Sequence, residues 1–227
     1  MQQRELTTKE RIIATVSNVI FSLRYVFVGF LLALLLFVIV YLIVGEIRSG
    51  RIEKSTIIVE RIESDYDLWM DTEDEAERET LGTDLLIRLE EVISTYSRLY
   101  AAQRGLFIQA QIYYATGVWE AAKDTFVELA DRFPDTYLAP IALISAATTM
   151  EAAENLAEAV TLLERVVEEF DTPALPSVLF TLGRLSEQSD LNDAAIEYYE
   201  RLLDEHPSSG WTSIAQSRII VLKIDRS

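Results

Sequence analysis

Residues 116–139, TGVWEAAKDTFVELADRFPDTYLA, decide the fold, because residues 154–176, ENLAEAVTLLERVVEEFDTPALP, and residues 190–211, DLNDAAIEYYERLLDEHPSSGW, repeat their pattern. Ala122, Ala159 and Ala195 are equivalent, and Phe126, Leu163 and Tyr199 follow four residues on. Leu129, Val166 and Leu202 come at seven, Phe133, Phe170 and His206 at eleven, and Pro134, Asp171 and Pro207 just after. Offsets of four, seven and eleven fall on one face of a helix. Proline, which has no N–H and clashes with the preceding turn, stops that helix in two of the three copies.

A fainter copy precedes these. In residues 84–102, DLLIRLEEVISTYSRLYAA, the residues Leu85, Leu89, Val92, Tyr96 and Ser97 hold the same offsets, so the copies are 37, 37 and 36 residues apart. Each clear copy also follows a helical stretch: YSRLYAAQRGLFIQAQIYYA, YLAPIALISAATTM and LPSVLFTLGRLSEQ. The unit is therefore a helix-turn-helix. Its small residue at the helix crossing, large residue four later and terminal proline resemble the tetratricopeptide repeat (TPR). A short side chain is needed there because two helices approach closely only where nothing bulky intervenes. The period exceeds the usual one, and Ala110 and Ala147 stand where the repeat often has glycine, which only Gly183 keeps. The resemblance implies an all-α fold: a TPR-like right-handed superhelix of about four helical hairpins over residues 81–227. Trp211 to Ile224 is phased like a first helix with no second, and is expected to cap the array from about residue 210.

Upstream lies a different kind of segment. Residues 25–45, YVFVGFLLALLLFVIVYLIVG, are 21 positions without a charge between Arg24 and Glu46. At about 1.5 Å per residue such a helix spans roughly 30 Å, the thickness of a bilayer's hydrocarbon core, so a transmembrane helix is expected. The run is longer than a cleavable signal's apolar region and lacks a small-x-small site behind it. Before it, residues 1–24 form a short tail in which Ile12, Ile13, Val16, Val19, Ile20 and Leu23 recur at amphipathic helical spacing. After it, residues 46–80 read as a stalk helix, with Ile58, Ile62, Tyr66 and Trp69 in phase, ended by the acidic turn at Asp71–Glu79.

Charge limits the partners. The chain carries 20 basic and 37 acidic residues, and residues 46–227 hold 16 and 35 of them, a net −19. Such a domain repels phosphate backbones and anionic headgroups, which argues against nucleic acid. Basic residues near the span balance, Arg4, Lys9, Arg11 and Arg24 against Arg48, Arg51, Lys54 and Arg61, so charge alone does not orient it. A short basic N-terminus inside, with the long acidic domain outside, is the expected arrangement.

Catalytic chemistry finds no constellation. There is no cysteine and one histidine, His206, at a helix-end position that sister repeats fill with Phe. The glycines are scattered rather than gathered into a phosphate loop, and Asp71–Glu79 lacks the alternating ligands and central glycine of a calcium loop. No catalytic residue, metal, cofactor or small-molecule substrate is expected. The expected site is instead the concave face lined by the first helices: Arg104, Phe107, Gln111 and Tyr114, then Ile141, Ile144, Thr148 and Glu151, then Ser177, Phe180, Arg184 and Glu187. Phe107, Ile144 and Phe180 hold the same repeat position, which predicts an apolar row able to accept an apolar or amphipathic peptide. The row could instead be covered by the capping helix or stalk.

The layout of one span followed by a repeat array is similar to the YfgM-like ancillary subunits of the bacterial Sec translocon. That resemblance implies a single-pass inner-membrane protein, N-terminus cytoplasmic and C-terminal domain periplasmic. It would act as a non-enzymatic adaptor between translocon and periplasmic chaperones. The other expectation is a scaffold subunit of a large membrane machine, such as a flagellar-motor collar or secretion apparatus.

Overall fold

A computed structural model describes residues 8–224, with side chains from Phe27 onward except Ile47; the amphipathic face expected at Ile12–Leu23 lies outside those described side chains. The described residues form nine α-helices and no strand: α1 (Thr8–Asp71), α2 (Glu75–Thr95), α3 (Tyr100–Ala115), α4 (Trp119–Arg132), α5 (Leu138–Ala152), α6 (Leu156–Glu169), α7 (Leu175–Gln188), α8 (Asn192–Glu205) and α9 (Thr212–Ile224). The chain divides between Lys54 and Ser55 into two units, the division falling within α1.

In the first unit, every described side chain from Phe27 to Glu46 is exposed. The uncharged stretch is long and apolar enough to cross a membrane.

The second unit is built from hairpins. Along the last part of α1, Ser55, Val59, Ile62 and Trp69 are buried, at spacings of four, three and seven that put one stripe against α2. Trp69 seats over Gly82, where a Cβ would come within 2.9 Å of the indole nitrogen, and that nitrogen donates to the Arg78 carbonyl at 2.9 Å. The acidic stretch at 71–79 holds the turn and the start of α2. Asp74 caps that start by accepting from the Glu77 N–H at 2.8 Å, and Glu75 and Glu77 sit where the helix dipole favours negative charge.

Hairpins α3–α4, α5–α6 and α7–α8 share one turn. The N–H groups of Val118, Asn155 and Leu191 donate back to the carbonyls of Tyr113, Met150 and Ser186, closing the first helix. Each closure needs a left-handed residue before it: Gly117 at φ 74°, Glu154 at φ 60° and Asp190 at φ 58°. Only the first is glycine, so the other two carry backbone strain. At the crossings Ala122, Ala159 and Ala195 are fully buried, and Leu106, Leu143 and Leu179 fill the layer between the helices. The expected array of about four helical hairpins with a capping helix is present. The cap, α9, buries Ala215, Ile219 and Leu222 and exposes Ile214, Ile220, Val221 and Ile224.

Candidate partner-binding groove

First helices lie side by side and present one face. Between most of them runs a ladder of ion pairs. Arg104 of α3 pairs with Glu63 of α1, Arg184 of α7 donates to Glu151 of α5 at 2.8 Å, and Arg218 of α9 grips Glu187 of α7. Glu187 also accepts from the Tyr199 hydroxyl at 2.6 Å. Burial pushes the Glu187 carboxyl up, but Arg218 and the Tyr199 hydroxyl outweigh it and hold the group below the usual glutamate range. The same bond, with burial as the larger cause, raises the Tyr199 phenol above its ordinary value.

Between α3 and α5 the rung is neutral. There, among the described residues, no ion pair joins the two helices, and burial first, then the neighbouring Tyr137 hydroxyl, raises the Tyr100 phenol. The opposite flank is braced as well: Lys123 of α4 donates to Glu158 of α6 at 3.1 Å, and Arg165 of α6 to Asp131 of α4 at 2.8 Å.

The residues expected to line the groove sort into three groups. Arg104, Glu151, Arg184 and Glu187 are held in the ladder. Phe107 and Phe180 are half-buried and turned toward their own hairpins, Phe107 edge-on to Phe126 at 5.5 Å and Phe180 tilted on Tyr199 at 5.6 Å. Phe180 is further stacked on Trp211 at 4.8 Å, so the segment leading into the cap covers one end of the apolar row. Ile144, also half-buried, continues that row. The open surface is Tyr114, Ile141 and Thr148, with half-buried Gln111 beside them. Tyr114 is 38% and Ile141 41% exposed, and Tyr114 rests edge-on against Trp119 at 5.4 Å. None of these four carries a charge.

The ladder acid Glu63 and the aromatics Tyr100, Tyr137 and Trp211 belong to the site but were not in the expected set. Two signals point to the ladder and its aromatics. Glu151 precedes Arg184 by 33 residues and Glu187 precedes Arg218 by 31, each close to one repeat, and Tyr100 and Tyr137 are one period of 37 apart. Among the described residues no group of acidic, histidine or cysteine side chains could hold a metal ion.

Comparison with known proteins agrees with this geometry. The tetratricopeptide repeat profile matches residues 104–136 and 177–209, which are α3–α4 and α7–α8 with the loops that follow them. The unmatched hairpin between them is the copy with Asp171 in place of the terminal proline. A TPR repeat-containing protein of Treponema pallidum (strain Nichols) is 30% identical over 143 residues, 62% of this chain, and the match spans 59% of that relative's length. Two crystal structures of nearly identical TPR-like repeats from Podosopora anserina, one a point variant, superpose with a TM-score of 0.50 at 15% identity. Each superposition covers 72% of this chain and 85% or 86% of the other. The chain carries tetratricopeptide repeats in a TPR-like superhelix, an architecture that serves protein–protein interaction.

Proposed function

We propose that this protein is a membrane-anchored adaptor whose repeat domain holds partner proteins in its concave groove. The observation that carries the reading is an uncharged, partly open stretch at Tyr114, Ile141 and Thr148, set in a domain that is strongly acidic and braced on both sides. An apolar or amphipathic segment finds there a surface free of competing charge, with aromatic and aliphatic side chains of the kind that anchor peptides.

Residues 25–45 of the same chain would serve as the anchor, with the tail of residues 1–24 on the cytoplasmic side and the repeat domain, residues 81–227, in the periplasm. Partners in this reading are subunits of the Sec translocon and periplasmic chaperones, met as secreted chains emerge. Protease protection on sealed inner-membrane vesicles tests the orientation: the repeat domain is shielded if it faces the lumen, and its digestion from outside refutes the arrangement.

A second reading is favoured by a specific observation. Terminal caps of repeat arrays are ordinarily polar outside, yet α9 shows Ile214, Ile220, Val221 and Ile224 to solvent. Such a face suits a permanent interface in a scaffold, as in a motor collar or secretion apparatus. Purification in mild detergent from the native membrane, with mass spectrometry of what accompanies the full chain, separates the two. Translocon subunits and soluble chaperones in small amounts support the adaptor; a stable set of machine subunits in fixed ratio supports the scaffold and refutes it.

A further inference from the structure

We propose that the groove recognises its partner through one branched aliphatic side chain seated in a crevice between α5 and α7. The inference rests on the groove reading above and adds its anchor. The crevice encloses about 80 Å³. Its apolar lining includes Ala147, Leu163, Val178 and Leu185, all buried. Its mouth is lined by Ser177 of α7, a small residue where the aligned positions of the two preceding repeats hold Arg104 and Ile141. Interiors are otherwise close-packed, so lining atoms facing such a void lack contacts that an aliphatic occupant would supply.

Size selects the occupant. An apolar cavity of about 150 Å³ accepts benzene, so about half that volume suits three or four carbons, the side chains of Val, Leu and Ile, and rejects an aromatic ring. Polar atoms fit an extended backbone. The hydroxyls of Thr148, Ser177 and Thr181 also line the crevice, and each donates its proton within its own helix, to Ile144, Ala174 and Ser177 carbonyls at 2.9, 2.7 and 2.8 Å. Their oxygens keep acceptor capacity for the N–H groups of an incoming segment. Charge excludes one class of flank. Glu151 at the edge is neutralised by Arg184, while the chain as a whole carries a net −17, so neutral or basic flanks are tolerated and acidic ones repelled.

The test uses the full chain in lipid nanodiscs. A phage library of random dodecapeptides is selected against it, with empty nanodiscs as counter-selection, and enriched peptides are titrated as fluorescein conjugates by anisotropy. The expected peptides carry one Val, Leu or Ile between neutral or basic residues and lose affinity about tenfold when that residue becomes Ala. Ser177→Leu, which fills the crevice from its mouth, weakens them by at least about the same factor while thermal stability is kept or raised. Thr181→Ile does the same and serves if Ser177→Leu fails to fold. Aromatic or acidic consensus anchors, or equal binding by the filled variants, overturn the anchor alone, provided Tyr114→Ala with Ile141→Ser still abolishes binding. No enrichment, or binding indifferent to that double variant, overturns the groove reading with it.

Discussion

The contact of Gly183 with Tyr199 makes the sharpest stability prediction. A Cβ at Gly183 would lie 2.4 Å from one ring carbon of Tyr199 and 2.7 Å from two more, against an ordinary contact of 3.4 Å or longer. The ring must therefore retreat by about 1 Å. Tyr199 is only 1% exposed and its hydroxyl is tied to Glu187, itself tied to Arg218, so it has nowhere free to go. Overpacking of this kind costs about 1–3 kcal/mol, and the helix gains about 0.5–1 kcal/mol when Gly becomes Ala. With an overlap this deep the cost falls in the upper part of that range, so Gly183→Ala should destabilise by about 1–2.5 kcal/mol net, a fall of about 3–8 °C in Tm for a domain this size. Gly105→Ala is the control: its Cβ would meet Cγ1 of Ile93 at 3.0 Å, a far shallower overlap that a shift of a few tenths of an ångström relieves, and the two effects should cancel to within about 0.5 kcal/mol. Thermal melts by circular dichroism on the full chain in detergent, run also in a Tyr199→Leu background, give the coupling between the two sites. In that background Gly183→Ala should turn neutral or stabilising. A cost that persists there, or no cost in the wild type, would refute the close-approach account.

Four further outcomes follow from the same geometry. Because the Glu187 carboxyl is held below its ordinary value, its contribution is present above about pH 4.3 and lost as pH falls through the depressed value. Acid melts should therefore show a stability loss that Glu187→Gln flattens; an unchanged slope counts against the cluster. At the other extreme, Tyr198 and Tyr199 have raised values, so their stabilisation holds below about pH 10 and fades above it. Replacing both with Phe should shallow the alkaline decline measured by the same melts. Asn155 accepts from the Glu158 N–H and donates to its carboxylate, so Asn155→Ala should lower stability by about 0.5–2 kcal/mol in urea titrations, while Ser is tolerated. Finally, Glu154→Gly, which relieves a left-handed residue in the α5–α6 turn, should raise stability by up to about 1 kcal/mol, and a loss would show that the strain is absent.

The hairpins were readable from sequence because packing forces small and large residues into fixed positions. Ala159, Leu163 and Val166 mark the middle copy even though its terminal proline is gone. The α1–α2 hairpin is harder to place by period. Counting 37 residues back from the start of α4 gives residue 82, but α2 begins at Glu75, seven residues earlier, with its own cap at Asp74. That shift hides the pairing of Glu63 with Arg104, which no simple repeat offset connects. The groove positions were legible as positions, since helical phase sets which residues share a face. Their use was not. Whether Phe107 and Phe180 face a partner or their own hairpin depends on how Phe126, Tyr199 and Trp211 fill the space around them. The crevice at Ser177 depends on the same summed volumes.

The bracing of the array on both of its faces has a mechanical meaning. Bending the superhelix inward would compress the rungs at Glu151–Arg184 and Glu187–Arg218 and stretch those at Lys123–Glu158 and Arg165–Asp131; bending it outward would do the reverse. A beam tied along both flanges resists flexing either way, so its curvature is set before any load is applied. The softest coil is the one between α3 and α5, where among the described residues no ion pair ties the two helices on the inner face. Strain along the axis would concentrate there, beside the same opening at Tyr114 and Ile141.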